Sequence, residues 1–323
     1  MAGTPPILPI PLPMRPELQQ QMVSLLLKLA TNEGYTLSPL RGVRWLRSDR
    51  PLGVTPVLYE PGFVIVCQGR KRGWLGAQAF VYDEQQVLAV AVPVPFTMQT
   101  DASAERPLLA IYVQLDFLLA GELCAQMATE PPQVDSAKPS GLISTPLDDR
   151  LADAVVRFLR AMQDPLEARV LGPTVLREIY FRVLSSEQGE TLQAALSSQG
   201  RFGQVGKAIQ RIHRDHASAL TVAMLARESA MGTAAFHQHF RAVTNTSPMQ
   251  YLKTTRLHQA RLLILRKGMT AAAAAIAVGY ESPSQFSREF KRLFGLPPLA
   301  EVERMKSSFS YPELPQCGYV SSH

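Results

Sequence analysis

Cysteine is scarce in this sequence. The three cysteines, Cys67, Cys124 and Cys317, are far apart and form no Cys-x-x-Cys pair. Their spacing excludes a disulfide framework and a zinc-finger type of site, and it fits a reducing cytoplasm. Cys67 falls in a predicted strand, where a small buried apolar residue is the first interpretation and a thiol sensor the alternative.

Long apolar runs are also absent. No stretch reaches the roughly 20 apolar residues that a membrane-spanning helix needs. Residues 1–13 hold five prolines and neither lysine nor arginine, a composition unlike that of a signal peptide or a membrane anchor. We expect residues 1–15 to form a disordered tail, and we expect a cytoplasmic protein without a membrane partner.

Histidine is missing from the first 200 residues. All six histidines follow that point, at positions 213, 216, 237, 239, 258 and 323. A metal-dependent barrel enzyme needs such ligands inside its barrel, and the sequence contains no GxSxG elbow, P-loop or HExxH motif. We therefore predict no metal site, no cofactor and no catalytic residues. His213 and His216 are interpreted as exposed helix residues, and an enzyme with a DNA-targeting module remains the alternative function.

Positive charge is concentrated in the last third of the chain. Residues 201–323 hold 16 Lys+Arg and 7 Asp+Glu, a net +9, whereas residues 1–200 hold 17 and 20, a net −3. Together they give the net +6 of the whole chain. A basic domain joined to a mildly acidic one is typical of nucleic-acid binding, although a solvated basic face would give the same count.

The first half predicts a β-rich domain with flanking helices. Short β-rich runs separated by turn signals occupy residues 43–116, at 57–59, 63–67, 79–82, 87–94 and 108–115. This texture predicts a small antiparallel barrel or sandwich. Apolar residues at helical spacing predict one helix over 17–30 and two further helices within 147–162 and 175–184. The two later helices either pack on the barrel or form a dimer interface.

The last third repeats itself with a period of fifty residues. Phe236-His237-Gln238-His239-Phe240-Arg241 returns as Phe286-Ser287-Arg288-Glu289-Phe290-Lys291, and Pro248 returns as Pro298. Each copy follows a short helical pattern and a tight turn, which predicts two helix-turn-helix motifs in one chain. Residues 248–266 between them predict a connecting helix of about 28 Å, close to the ~34 Å between successive major-groove segments on one DNA face.

Caps and buried phenylalanines define the helices of both motifs. Thr221 is predicted to cap the first helix, Gly232 to adopt a positive φ and Thr233 to cap the next helix. In the second motif Ser282 is predicted to cap and Pro283 to take the first helical position. Burying the phenylalanines leaves a predicted base-reading set facing DNA: Ala234, His237, Gln238, Ser284, Gln285 and Arg288. The predicted phosphate contacts are Arg241, Lys253, Arg256, Arg261, Lys291 and Arg292.

Residues 201–306 resemble the DNA-binding domain of AraC/XylS-family transcription regulators. The resemblance rests on Ala277 to Gly295, on Phe236-His237 with Phe240, and on Ser247-Pro248 with Tyr251-Leu252. Gln238 departs from the family pattern, in which arginine is common at that place. The motif in this chain could therefore read DNA weakly, or read an adenine through glutamine.

The N-terminal part resembles the effector domain of one AraC subgroup. The resemblance rests on Val57-Leu58-Tyr59-Glu60-Pro61, on Ile65 to Lys71 and on Val94-Pro95. It implies an α+β protein in which a cupin-like β-barrel with flanking helices precedes an all-α domain with two helix-turn-helix motifs. It further implies a homodimer that binds double-stranded DNA and a small-molecule effector, with RNA polymerase as a further partner to test. The effector-binding candidates are Tyr59, Cys67, Lys71, Tyr82 and Tyr112.

These observations predict five segments. The tail at 1–15 precedes an effector-binding and dimerisation domain at 16–186. A polar linker at 187–200 leads to the DNA-binding domain at 201–306, and a second tail covers 307–323.

Overall fold

The structure, a computed structural model, describes residues 14–76, 78–127, 141–196 and 201–308. The helices are α1 Pro16–Leu29, α2 Phe117–Met127, α3 Asp149–Ala161, α4 Pro165–Val170, α5 Gly172–Leu184, α6 Gly189–Leu196, α7 Arg201–Asp215, α8 Val222–Glu228, α9 Thr233–Thr244, α10 Pro248–Lys267, α11 Ala271–Ala277, α12 Pro283–Phe294 and α13 Pro298–Ser308. The strands are β1 Gly34–Leu37, β2 Val43–Ser48, β3 Leu52–Tyr59, β4 Gly62–Gln68, β5 Arg70–Leu75, β6 Gln78–Asp83, β7 Gln86–Val90, β8 Val94–Asp101, β9 Leu108–Gln114 and β10 Leu142–Pro146. A β-rich part with helices thus precedes an all-helical part, which confirms the predicted fold class.

Two antiparallel sheets form the β-rich part. One has the strand order β1-β2-β9-β4-β7-β10 and the other β3-β8-β5-β6. Residues of β8 alternate between buried and half-buried along the whole strand, as expected for a strand with one face toward a core. The six-stranded sheet is covered on its outer face by helices, where Trp45 meets Phe158 with ring centroids 6.1 Å apart and Phe63 meets Tyr180 at 4.9 Å.

One predicted strand is split in the structure, and the predicted linker includes a helix. The run 87–94 was expected as one strand, but β7 ends at Val90 and β8 begins at Val94, because Pro93 has no amide hydrogen to continue a ladder. The predicted polar linker contains α6, which spans Gly189–Leu196 and buries Leu192 against the core. The last four linker residues lie outside the described ranges.

The predicted tails lie mostly outside the described ranges. At the inner end of the first tail, Met14 is buried in the core and Arg15 pairs with Asp149 at 2.9 Å, so these two residues belong to the fold. Cys317 lies outside the described residues. Among the residues that the structure does describe, no helix has the length and apolar character that crossing a membrane requires.

The hydrophobic core is continuous across the two parts of the molecule. One cluster includes barrel residues such as Phe96 together with Phe236, Phe240 and Tyr251 of the helical part. A second cluster is built around Phe286, Phe290 and Phe294 and contains only residues of the last third. The first half of the helical domain is therefore packed into the barrel's core, whereas the second half has a core of its own.

Candidate DNA-binding and effector-binding sites

The first helix-turn-helix unit consists of α8 and α9. The Thr221 hydroxyl accepts a hydrogen bond from the Met224 amide at 3.3 Å, which confirms the predicted cap. The turn differs from the prediction, because the positive φ of 51° belongs to Ala230 and Gly232 has φ −69°. Gly232 is itself the N-cap residue of α9, and Thr233 is already helical. The chain reverses directly at the C-terminus of α8, so the positive φ falls earlier than expected.

The second unit consists of α11 and α12 and repeats this geometry. Ser282 caps α12 by accepting from the Gln285 amide at 3.2 Å, and Pro283 is the first helical residue, as predicted. Gly279 takes the left-handed conformation here, with φ 87°. A Cβ at Gly279 would collide with the backbone of Ala217, so this turn requires glycine for space as well as for φ.

Both second helices bury a pair of phenylalanines. The rings of Phe236 and Phe240 lie 5.5 Å apart, and those of Phe286 and Phe290 are separated by the same distance. All four side chains are fully buried. The opposite faces carry the predicted base-reading residues, every one of which is exposed: Ala234, His237, Gln238, Ser284, Gln285 and Arg288. Each of these six side chains therefore lies on the solvent-exposed face of its helix, as predicted from the sequence.

The predicted phosphate contacts fall into three groups. Arg241, Lys291 and Arg292 are exposed on α9 and α12. Lys253 is half-buried and pairs with Glu289 at 2.9 Å. Arg256 is half-buried too, and it donates to the backbone carbonyls of His216 and Ser218.

Arg261 is wrong as a phosphate contact. Its side chain is 0% exposed and pairs with the equally buried Glu301 at 3.1 Å. The guanidinium also lies over the Phe294 ring, 4.3 Å from its centroid, and donates to the carbonyl of Pro56 in β3. This arginine therefore joins α10 to α13 and to the barrel, where no phosphate can reach it.

His213 is also wrong as an exposed helix residue. It is 4% exposed, and its Nε2 lies 2.7 Å from the Tyr251 hydroxyl. Burial, with a smaller effect of the neighbouring His216, lowers the pKa of His213 to about 3. Since the Tyr251 hydroxyl donates to the Pro93 carbonyl at 2.8 Å, its oxygen is left to accept from a neutral His213. His216 is half-buried, and its Nδ1 lies 3.0 Å from the His213 carbonyl.

The barrel interior gathers four of the five effector candidates. The hydroxyls of Tyr59 and Tyr82 lie 3.0 Å apart, and both residues are fully buried beside Phe96. Lys71 is 2% exposed, and its Nζ lies 3.8 Å from the Met98 sulfur. Burial lowers the pKa of Lys71 to about 8 and raises those of both tyrosines.

Tyr112 belongs to a second polar group inside the barrel. Its ring lies 4.0 Å below the guanidinium of Arg44, which forms a buried ion pair with Glu60. The Tyr112 hydroxyl donates to the carbonyl of Pro61 at 3.1 Å. Arg44 and Glu60 are not among the residues predicted from the sequence to bind the effector. Arg44 lies between Val43 and Trp45, and Glu60 directly follows Tyr59, so a charge beside apolar strand residues was the signal that could have identified them.

The fifth candidate, Cys67, is fully buried. It lies where the register of β4 and β9 shifts between Val66 and Gln68. Burial raises the pKa of its thiol to about 12, so the thiolate is suppressed at neutral pH. This environment favours the apolar interpretation over the sensor. The described residues contain no group of three or more His, Cys, Asp or Glu arranged to hold a metal ion.

Several hydrogen bonds join the barrel to the helical domain. The side-chain amide of Asn245 donates to the backbone carbonyl of Leu75 at 2.6 Å. The backbone amide of Gly141 donates to the backbone carbonyl of Val243 at 3.2 Å. Leu58 and Leu262 form a small apolar contact across the same boundary. Together with the Tyr251 and Arg261 bonds, these contacts fix α9 and α10 against β3, β5 and the segment before β8.

The paired helix-turn-helix units place the chain in the helix-turn-helix class, and a family model for a helix-turn-helix domain matches residues 225–304. The family model of the AraC-type transcriptional regulator N-terminus matches residues 39–191. The chain belongs to the AraC-type transcriptional regulators, which confirms the resemblance found in the sequence.

Two curated relatives illustrate the range of similarity. An AraC-like transcription regulator of Streptomyces lividans is 27% identical over 189 residues, which cover 56% of this chain and 62% of that protein. The RCS-specific HTH-type transcriptional activator RclR of Escherichia coli is 35% identical over 102 residues, 32% of this chain and 36% of its own. The chain thus spans less than two thirds of the length of these relatives.

A solved structure with a similar fold is that of unsaturated-fatty-acid-bound ToxT from Vibrio cholerae. It aligns with a TM-score of 0.54 over 87% of this chain and 100% of the ToxT chain, at 9% identity. At that level of identity the likeness shows the fold alone.

Proposed function

We propose that this chain is a transcription regulator that binds double-stranded DNA at specific sequences and responds to a small molecule in its barrel. One observation carries the proposal: α9 and α12 each bury a pair of phenylalanines four residues apart and expose a row of polar side chains opposite them. Helices of this kind, presented by a preceding turn, enter the major groove N-terminus first. We expect the protein to act in the cytoplasm, where its DNA lies.

The connecting helix supports the use of two groove segments. With 20 residues, α10 is about 30 Å long at ~1.5 Å per residue. Successive major-groove segments on one face of DNA are about 34 Å apart. A rigid α10 would therefore hold α9 and α12 at adjacent segments of one DNA face.

The side chains divide into base-reading and phosphate-binding roles. In α12, Arg288 is two residues from both Phe286 and Phe290 and points away from the core, where it can bond a guanine edge with two donors. Gln238 takes the corresponding place in α9, and glutamine favours adenine. Ala234, His237, Ser284 and Gln285 complete the base-facing rows. Arg241, Lys291 and Arg292, with Lys253 and Arg256 beside them, would bind phosphates and position the protein.

The barrel interior supports an effector site. Tyr59, Lys71 and Tyr82 lie together in it and Tyr112 lies nearby, so polar groups are present inside an otherwise apolar core. Ligand sites commonly combine an apolar lining with a few placed polar groups. ToxT, which shares the fold, is a protein solved with an unsaturated fatty acid bound.

The helices after the barrel support a homodimer. Six large apolar side chains on α2, α4, α5 and the residue between α4 and α5 are exposed, namely Phe117, Leu118, Leu166, Val170, Leu171 and Phe181. Apolar surface of this kind typically marks a protein interface, and a second copy of the chain would cover it symmetrically. A full-length protein that sediments as a monomer at micromolar concentration would contradict the dimer. RclR is named as an activator, and an activating role here would make RNA polymerase a partner.

The test of DNA reading compares Arg288→Ala with Lys291→Ala, two exposed positions on the same helix. Binding is measured on a selected site and on scrambled DNA at several salt concentrations. We expect Arg288→Ala to lose about 1–3 kcal/mol of preference for the site and to bind scrambled DNA unchanged. We expect Lys291→Ala to weaken binding to both DNAs and to reduce the salt slope by about one unit.

The two variants control for each other, because both remove a cation from α12 without touching its core. Unchanged site preference after Arg288→Ala would mean that sequence is read elsewhere. Failure of the wild-type protein to prefer any site in a selection from random DNA would contradict the proposed function itself.

A further inference from the structure

The barrel holds an unbalanced set of buried charges. Among the described residues up to 196, three charged side chains are buried: Arg44, Glu60 and Lys71. Arg44 and Glu60 form an ion pair, so they neutralise each other. Lys71 makes no ion pair with a carboxylate of the described residues, and the polar contact of its Nζ is with the Met98 sulfur at 3.8 Å. One positive charge is therefore left without a counterion in the core.

An unpaired buried ammonium is costly. Moving a cation out of water is unfavourable unless an anion or strong acceptors replace the water, and a thioether is a weak acceptor. Burial alone lowers the pKa of Lys71, from its ordinary value of 10.5 to about 8. At neutral pH the side chain therefore stays mainly protonated, and its charge remains to be satisfied.

The strand register places further polar groups beside Lys71. Lys71 in β5 is paired with Tyr82 in β6 and with Thr100 in β8. Residues directly opposite each other in antiparallel strands point to the same face of the sheet, so all three side chains face the barrel interior. The Thr100 hydroxyl is buried and has no hydrogen-bond partner. An ammonium and an unsatisfied hydroxyl donor thus lie next to each other in one row.

We propose that the barrel binds a small monocarboxylate, whose carboxylate is held by the Lys71 ammonium and the Thr100 hydroxyl. The anion supplies the missing negative charge and accepts both donors, and charge-assisted bonds of this type are the strong ones. This inference rests on the proposed effector site and gives its ligand class. One carboxylate matches the single uncompensated charge, because Arg44 is already paired with Glu60.

The side chains around Lys71 and Thr100 are largely apolar, so we expect the rest of the ligand, beyond its carboxylate, to be apolar as well. Tyr59, Phe96 and Met98 lie around the row, and the rings of Tyr59 and Tyr82 are each packed against Phe96. Met98 is the most exposed of these side chains at 9%, whereas Tyr59 and Phe96 are at 1% and 2%. Methionine is flexible and unbranched, so its side chain can move to admit a ligand at this edge of the core.

The same strands also contact the DNA-binding domain. β5 carries Lys71 near one end and Leu75 at the other, and the Leu75 carbonyl accepts from Asn245 at the end of α9. The segment before β8 carries Pro93, whose carbonyl accepts from Tyr251 in α10. A carboxylate bound by β5 and β8 would therefore contact β5, which bonds α9, and the strand that directly follows the segment bonded to α10.

The experiment measures ligand binding to the full-length protein by titration calorimetry at pH 7. The probes are octanoate and benzoate, each compared with its uncharged amide, octanamide or benzamide. We expect at least one carboxylate to bind about tenfold more tightly than its amide. We expect Lys71→Met to abolish that preference while it preserves volume and apolar packing.

Two further variants complete the test. Lys28→Met makes the same chemical change at an exposed position of α1 and should keep the wild-type preference. Thr100→Val should weaken carboxylate binding about threefold or more. Lys71→Met is expected to melt no lower than wild type in the absence of ligand, since it removes an unpaired buried charge.

The outcomes separate this inference from the proposed function. Carboxylates that bind no more tightly than their amides, or a preference that survives in Lys71→Met, would overturn the ligand class. A gel shift with the selected DNA site is run in parallel. Lost DNA specificity with intact carboxylate preference would contradict the regulator and leave the ligand class standing.

Discussion

The two helix-turn-helix units share one plan and differ in what they are attached to. Phe236 and Phe240 of the first unit belong to the core that continues into the barrel, whereas Phe286 and Phe290 belong to a separate cluster. The first unit is therefore part of the barrel's folding unit. The second unit keeps its own core and reaches the barrel through α10 and through a small direct contact of α12 with β3.

The C-terminal ends of the two recognition helices show the same difference. Asn245 ends α9 in the left-handed conformation, with φ 56°, and its amide donates to Leu75 of the barrel. Gly295 ends α12 with φ 81°, and a Cβ there would find no atom within 4 Å. One helix end is fixed on the barrel, and the other is free. The end of the first unit is thus in direct contact with the barrel, whereas the end of the helix that carries Arg288 is not.

The largest effect expected from this comparison comes from truncating one phenylalanine in each unit. Phe240→Ala and Phe290→Ala should each cost about 3–5 kcal/mol. Both tryptophans, Trp45 and Trp74, lie in the barrel, so their fluorescence reports barrel unfolding. We expect Phe240→Ala to lower the fluorescence midpoint in urea, and Phe290→Ala to shift only the helical signal in circular dichroism. Equal fluorescence shifts in the two variants would mean that the units are not separate.

A smaller effect is expected from acid at the boundary of the first unit. Burial holds the pKa of His213 at about 3, below its ordinary 6.5, so between these values the unfolded chain binds more protons than the folded one. Stability is therefore present above pH 6.5 and falls as the pH drops, by about 2 kcal/mol at pH 5. His213→Gln should remove this part of the pH dependence, as measured by urea unfolding at pH 7 and pH 5.

The half-buried His216 supplies the control for this prediction. His216→Gln should keep the wild-type loss of stability between pH 7 and pH 5. Burial and Arg261 are the larger causes that lower the pKa of the buried His258, and His213 is the smallest, so we expect the His258 contribution to change little in either variant. A His213→Gln protein that loses as much stability as wild type would contradict a neutral buried His213.

The smallest effect is expected at the helix ends. Asn245→Gly keeps a residue suited to the left-handed conformation and removes the amide that bonds Leu75, so it should weaken the attachment of α9 by about 1 kcal/mol. Amide hydrogen exchange should then rise in β5 near Leu75. Gly295→Asn makes the reverse change at the free end of α12 and should leave exchange in the barrel unchanged. Faster barrel exchange in Gly295→Asn would show that the second unit is attached as well.

The features that were predicted from the sequence depend on local physics. The Thr221 and Ser282 caps, the first-turn Pro283 and the phenylalanine pairs follow from helix geometry, which acts over a few residues. The strand runs were found because turn residues interrupt them. The exposed faces of α9 and α12 followed directly once their buried faces were known.

The features that were missed depend on contacts between distant segments. Arg261 and His213 carry polar side chains on helices, where exposure is the usual expectation, but α10 is covered by α7 and α9, by α11 to α13 and by β3. Consecutive residues of α10 are therefore buried, which a helix with one apolar face does not show. Thr254 and Thr255 are one such pair, and Arg261 and Leu262 are another. Nothing in the local pattern signals that coverage. Lys71 and Tyr82 were predicted as effector-binding residues, but Thr100 was not. Its position opposite Lys71 depends on the strand register, which the local sequence does not reveal.

The contact between Asn245 and Gly76 links two positions that belong to different domains. Gly76 has φ 62°, and a Cβ at that position would collide with the Asn245 amide. A residue with a side chain can therefore replace Gly76 only after a smaller residue has replaced Asn245. If Gly76 were replaced first, the new side chain would clash with the Asn245 side chain. Across related chains these two positions should covary, and the substitution at 245 should come first.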